Sequence, residues 1–382
     1  MRRHSIAPRP EMQATVAHTG LTFHTHRDGS PYWDESAYWE FTSEEIDRLA
    51  AATAEIQRLA IAAGSHILDH DQFGEMKIPA PAAARIRECW AAHSPALYGR
   101  LDLAFDGREI KLLEYNADTP TALVEAAVTQ WYWLLDRFPE ADQFNSLHDK
   151  LVASWKELTA RLRQPVYFGH DGSEEDLMTV SYLRDTAEQA GHQTVPIPMR
   201  SIGWEDAAQR FVDLDRRPIE SIFKLYPWEW LLHEQFGAHT LATLGEVNWI
   251  EPIWKMMWSN KALLAILWEL NPNHELLLPA YLDGPRNLKD YVRKPLFGRE
   301  GAGIGVFRNW AEVGRAAPQS EADASAAGGF VYQQMASLAQ ADGITGVLGS
   351  WLIDGEPAGM GIRESSGPVT TNSSRFVPHL FR

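Results

Sequence analysis

The chain has 382 residues, 45% of them hydrophobic and 15 of them Trp, with a formal net charge of −16 and a single cysteine. The length suits two or three domains of roughly 100–200 residues each, and no apolar run approaches the roughly 18 residues a membrane span needs. The acidic balance argues against a nucleic-acid partner, which requires a basic footprint, and is compatible with a cationic substrate.

Cys89 alone cannot build a disulfide framework; it fits a reducing, cytoplasmic setting and reads as a small buried residue. The basic start MRRHSIAPRP is not followed by the apolar stretch of a secretory signal. The opening through Trp39 is rich in His, Trp and Tyr and has no clear period. From Ser43 to Gly64 apolar residues recur at helical spacing, with Ser43 as the expected N-cap. A second helix is predicted over Pro81–His93. Two strands follow, Leu97–Phe105 and Ile110–Asn116, separated by the turn signal Asp106-Gly107. Thr121–Phe138 reads as one buried, aromatic-rich helix, with Trp131-Tyr132-Trp133 in the core, and Leu147–Leu162 as another.

A second α/β segment begins near Gln164. It reads as a strand at Val166–Gly169, a helix over Ser173–Ala190, and strands near Gln193–Ile197 and Ile219–Leu225. That alternation predicts a small parallel sheet. A helix is expected over Asn260–Leu270, then a strand-rich final hundred residues interrupted by Ala316–Gly329, which reads as a mobile loop. There is no internal repeat.

Three constellations carry chemistry. In Arg100-x-Asp102 and Glu114-x-Asn116, alternation along a strand puts each pair on one face. The two faces coincide only if an odd number of residues separates the strands, as in a three-residue Asp106-Gly107-Arg108 loop. That register sets Arg100 across from Glu114. Three oxygen ligands then suit magnesium completed by phosphate oxygens, with Arg100 facing the charge of a transferring phosphoryl group; an ordinary Arg–Glu pair at a polar strand end remains the alternative.

The second constellation is the glycine-rich run from Lys294 to Gly305, KPLFGREGAGIG, whose backbone amides and lysine can approach phosphates. It is neither a Walker A sequence nor a dinucleotide fingerprint, and a plain hairpin with a surface lysine is the alternative. The third is Lys261, placed after Ser259-Asn260 in the first turn of a helix. A cation there opposes the helix dipole unless an anion binds.

Glu174-Glu175-Asp176 follows Ser173 and reads first as an N-cap with favourable first-turn acids, and second as an amine-binding patch. His66 and His70 stand four apart without the glutamate of a zinc motif, so a helix face is expected there.

The segments KLLEYNADTPTALVEAAVTQWYW, KPLFGREGAGI, VYQQ and GSWLIDGEPAGMGIRESSG closely resemble the glutathionylspermidine synthase family. That resemblance implies an α/β (mixed α+β) chain with an ATP-grasp fold and an inserted small α/β substrate domain. The expected parts are 1–163 with the metal hairpin, 164–255 as the insert, and 256–382 with the glycine-rich loop. It implies a ligase in which ATP phosphorylates a carboxylate and an amine displaces the phosphate, with a glutathione-like acid and a polyamine such as spermidine as partners. Two magnesium ions would be held by Asp102, Glu114 and Asn116.

Arg100 would stabilise phosphoryl transfer and contact both ATP and the acid. Leu101, Lys261, Lys294, Glu300, Gly301 and Arg363 would contact the nucleotide, and Tyr332-Gln333-Gln334 would be the hinge that reads adenine. Thr119, Thr121 and Arg299 would face the acid, and Glu175 and Asp176 the amine. Thr119 and Thr121 stand where serine is usual, and the amidase domain of bifunctional members has no counterpart in the sequence. A catalytically silent ATP-binding module, or a kinase that stops at a phosphorylated product, are the competing functions. The sequence is compatible with a monomer or a homodimer.

Overall fold

A computed structural model describes residues 1–299, 301–315, 328–367 and 374–382. Its centre is an antiparallel sheet in the order Arg375–Val377, Glu356–Ser365, Ile344–Ile353, Tyr98–Phe105, Ile110–Asn116, with Ala339–Ala341 added beside Ile344–Ile353. Side chains alternate across it. Leu101, Leu103 and Phe105 join the core that also holds Ile56, Leu59 and Ile67 of the long helix Ser43–His70. Tyr98 and Trp351 point the other way and pack with Leu147, Leu151 and Trp155 of the helix Leu147–Leu158. Arg100 and Asp102 have the parity of Tyr98, so they sit on this second face, further along the strand.

The long helix starts one residue earlier than its sequence suggests. Thr42, not Ser43, is the N-cap: its hydroxyl accepts from Glu45 N while Glu45 returns a bond to Thr42 N. Both residues can cap; the glutamate three positions on selects Thr42. Thr121–Phe138 is likewise not one helix. Ala122 adopts φ +69°, which a helix cannot contain, and a π-turn over Glu125–Thr129 then leads into the α-helix Gln130–Arg137. Within it Trp133 is buried, whereas Tyr132 is 48% exposed.

The expected small parallel sheet is present, in the order Asn248–Ile250, Ser221–Lys224, Val166–His170, Thr194–Pro198. Helix Glu174–Gln189 packs on it, capped by Ser173, whose hydroxyl accepts from Asp176 N at 3.2 Å. A third, antiparallel sheet runs Ala280–Tyr281, Phe330–Gln334, Tyr291–Pro295, Gly305–Arg308, Ala311–Arg315, backed by the apolar helix Ala262–Leu270. Lys261 is the N-cap of that helix, one position before the first turn.

A small sheet of Arg2–Ser5, Ala37–Phe41 and His379–Phe381 joins the two ends of the chain. Cys89 is buried, and His66 and His70 stack on one exposed stretch of the long helix. Ala316–Gly329 lies outside the described residues except for Gly328 and Gly329. Among the described residues no helix is long and apolar enough to cross a membrane.

Candidate functional site

A cavity of about 860 Å³ lies where the three sheets meet. Its floor is the hairpin Tyr98–Phe105/Ile110–Asn116, and the register there differs from the one its sequence suggests. The turn is the four-residue Asp106–Glu109, shaped by Gly107 at φ +92° and by Asp106 Oδ1, which accepts from the Arg108 and Glu109 amides at 2.8 Å each. An even turn alone would put Asp102 and Glu114 on opposite faces. A bulge at Leu113 restores the parity: Leu103 pairs with Leu112, but Asp102 pairs with Glu114 and Arg100 with Asn116. The third sheet holds the bulge, with Lys294 Nζ donating to Leu113 O (2.8 Å) and Gln333 Nε2 to Leu112 O (2.9 Å).

Asp102 is 3% exposed and lies between two guanidiniums, with Arg100 Nε donating to Oδ1 at 2.8 Å and Arg363 donating to Oδ2. Arg100 also donates to Thr121 O at 2.8 Å. Gly349, opposite Asp102 on the neighbouring strand, makes room for it: a Cβ there would stand 2.9 Å from Arg100 Cδ. Glu114 accepts from Asn116 Nδ2 (3.0 Å) and pairs with Lys261 Nζ (3.0 Å), which also donates to Gly298 O (2.7 Å).

Burial pushes the Glu114 carboxyl up, but Lys261 and Lys294 outweigh it and hold it well below the usual carboxylate range. Burial takes Lys294 down to about 8, against the pull of Glu114. For Arg100 burial works against the charge, and Asp102 more than restores it.

This cluster sets two carboxylates against Arg100, Arg363, Lys261 and Lys294. The cationic excess suits a polyphosphate. Asp102, Glu114 and Asn116 also share a face as three oxygen donors of the hard type magnesium takes. The two roles are compatible, because phosphate oxygens can replace the carboxylates as partners of the cations while the carboxylates turn to a metal. Leu101 differs from expectation: its side chain is fully buried on the opposite face, between Tyr115 and Ser350 in the sheet, and does not line the cavity.

Above the floor the glycine-rich segment turns back on itself, with Gly301 and Gly303 at φ +76° and +71°. Gly301 lines the cavity; Glu300 lies outside the described residues. Arg299 reaches out of this turn to Thr119 Oγ1 (2.5 Å) and Glu229 Oε1 (2.7 Å), with Trp230 beneath its guanidinium. Thr121 also lines the cavity.

Along the Phe330–Gln334 strand the expected hinge is shifted. Tyr332 is paired on both sides, by Arg293 and Tyr281, and does not line the cavity. Gln333, Gln334, Met335, Ala336 and Leu338 do. Gln333 Oε1 also accepts from Lys294 Nζ at 2.8 Å.

The opposite end is acidic. Asp171, Glu174, Glu175 and Asp176 line it beside Tyr226 and Trp230. Burial, then the charge of Asp171, pushes the Asp176 carboxyl up to about 8. Capping and cavity lining are therefore both true of this first turn. Tyr226, Trp230 and the residues after Gln334 carry no signal in the sequence, and two further contributors are also unannounced there as site residues. Asp171 is one; the other is the hairpin-like segment Phe23–Tyr32, which brings Phe23, His26, Arg27 and Tyr32 to the cavity. Its only signal was Asp28-Gly29, a turn dipeptide in an aperiodic stretch.

Residues 3–382 match the family model described as "Glutathionylspermidine synthase preATP-grasp". A protein from Haemophilus influenzae named putative acid–amine ligase is 38% identical over 98% of this chain and 97% of its own length. The bifunctional glutathionylspermidine synthetase/amidase of Escherichia coli is 26% identical over 90% of this chain, which spans only 59% of that protein. Among solved structures, a glutathione synthetase-like effector from Globodera pallida in its apo form superposes with a TM-score of 0.54 over 97% of this chain and 96% of its own, at 9% identity, a likeness of fold alone. The chain belongs to the glutathionylspermidine synthase family and has the ATP-grasp fold, with the small parallel sheet as its insert. The family is one of acid–amine ligases that depend on ATP and typically on magnesium.

Proposed function

We propose that this chain joins a glutathione-like peptide acid to a polyamine such as spermidine, forming an amide through an acyl phosphate at the expense of ATP. The observation that carries the reading is the set of walls gathered in one cavity: a nucleotide wall (Gln333, Gln334), a cationic centre over the hairpin, hydroxyls at Thr119 and Thr121, and an acidic patch that includes Glu175 and Asp176. In this reading 1–163 and 256–382 form the nucleotide and metal part, and 164–255 presents the amine.

Asp102, Glu114 and Asn116 would hold magnesium, expected as two ions, which when bound would supply charge neutralisation to the phosphates. Arg100 and Arg363, which flank Asp102, face the transferring phosphoryl group and meet the charge developing there. Lys261, Lys294, Glu300 and Gly301 cover the phosphates. Arg299, Thr119 and Thr121 orient the acid, and Glu175 with Asp176 hold the cationic amine near the acyl carbon.

ADP release against a matrix of peptide-like acids and polyamines, with mass spectrometry of the product, tests this. An amide that needs all three substrates supports it. ADP made with acid alone and unchanged by any amine points to a kinase, and ATP binding without ADP points to a silent nucleotide-binding module.

A further inference from the structure

Every buried carboxylate but one, among the described residues, sits in an ion pair, from Glu35 with Arg9 to Glu364 with Arg3. The exception is Glu125, 3% exposed, whose one side-chain partner is Tyr32 Oη, donating to Oε1 at 2.6 Å. A buried carboxyl without a cation is costly unless it is neutral or serves a purpose. Glu125 opens the π-turn that replaces a regular helix, three residues after the left-handed Ala122, and such distortions collect at working sites. Arg100 is near enough to act on it electrostatically but is committed to Asp102 and Thr121 O. Glu125 itself does not line the cavity; Tyr32 does, packed against Phe23, His26 and Phe376.

We infer that Tyr32 and Glu125 form a proton relay that draws a proton from the incoming amine, Tyr32 touching the substrate and Glu125 acting through it. The inference rests on the ligase reading above. An ammonium group cannot attack an acyl phosphate, so one of its protons must leave. The N–H proton passes to the Tyr32 oxygen as the Tyr32 hydroxyl proton passes to Glu125 Oε1. The nitrogen lone pair then forms the bond to the acyl carbon. The carbon–oxygen bond to phosphate breaks with its electrons on phosphate, which also carries away the second nitrogen proton. Glu125 afterwards returns its proton to solvent.

The surrounding charges fit that cycle. Burial, eased by the Tyr32 hydrogen bond, takes Glu125 up to about 7, with Glu175 of the capped helix raising it and Arg100 of the floor strand lowering it. Burial and the charges of Glu125 and Glu175 push Tyr32 well above its ordinary value, with Arg363 opposing, so it passes protons on rather than storing the anion. His26 is the remaining titratable side chain against the Tyr32 ring.

The test uses the full chain with ATP, magnesium and glutathione, and compares spermidine with hydroxylamine, a nucleophile already largely unprotonated near neutral pH. E125Q and Y32F are expected to lower amide formation from spermidine by about 10²–10⁴-fold, while hydroxamate formation stays within about threefold of the parent. The spermidine deficit of E125Q should shrink as pH rises and free amine accumulates. Equal losses with both nucleophiles, or no loss with spermidine, would overturn the relay.

If the parent makes neither product, the substrate reading has failed and the relay is judged separately by infrared spectroscopy. A carboxylic-acid band that titrates near neutral pH and is missing from E125Q supports it; no such band overturns it.

Discussion

Two parts of the cavity lining carry charge in opposite ways. Around Asp102 and Glu114 each carboxylate has a lysine or arginine within bonding distance, and cations are in excess. At the far end Asp171, Glu174, Glu175 and Asp176 crowd together, with Glu125 behind Tyr32. The first end is complete as a protein structure yet attractive to an anion. The second gathers four carboxylates beside Tyr226 and Trp230. Under the proposed ligase reading, that contrast would sort a polyphosphate from a polyamine.

Removing a carboxylate from the cationic cluster should break the comparison most severely. Glu114→Ala leaves Lys261 and Lys294 without their counter-charge, and amide formation is expected to fall by about 10²–10³-fold in a steady-state assay, whichever amine is supplied.

The next effect sits at the other end. Asp176→Asn should raise the KM for spermidine about tenfold and leave the KM for ATP unchanged, which the same assay reads. A rise in both would mean that the two ends are not electrically separate.

The same variant has a thermal signature. Because the folded state raises the Asp176 pKa from 3.8 to about 8, its contribution to stability is fullest below the ordinary carboxyl range and is lost as pH rises through about 8. The melting temperature of Asp176→Asn should therefore gain on the parent from about pH 4 to about pH 8 and then run parallel to it.

The smallest effect sharpens the cationic end. Gly349→Ala crowds Arg100 Cδ and should cost about 1–3 kcal/mol in denaturant unfolding, with a kcat loss larger than any change in KM for the amine.

Much of this architecture is legible without coordinates. Alternation and the Asp-Gly dipeptide locate both strands of the floor, and Ser173 with the acids after it marks a helix start that the structure keeps. What escaped depends on distant partners. The Leu113 bulge is held by Lys294 and Gln333, 181 and 221 residues away from the carbonyls they bind, so no local pattern announces it. Glu125 falls at a helical spacing inside an apolar run, and only the π-turn and its meeting with Tyr32, 93 residues earlier, set it apart. Leu101 stands between two cavity residues in the sequence, yet the parity of the strand turns its side chain toward the core.

Arg363 has one more dependence. Its neighbour Glu364 faces the other side of the sheet, where Arg3, Trp39 and Arg375 all bond to it, the first across 361 residues. The strand before it, Ile344–Ile353, must also insert beside Tyr98–Phe105. Contacts across such separations carry a larger loop-closure cost than those within local helices. During synthesis, a nascent chain stopped at residue 340 would already carry Asp102 and Glu114 but lack the strand and the arginine that complete their wall. A half-made chain therefore carries both carboxylates without the finished wall of strand and arginine around them.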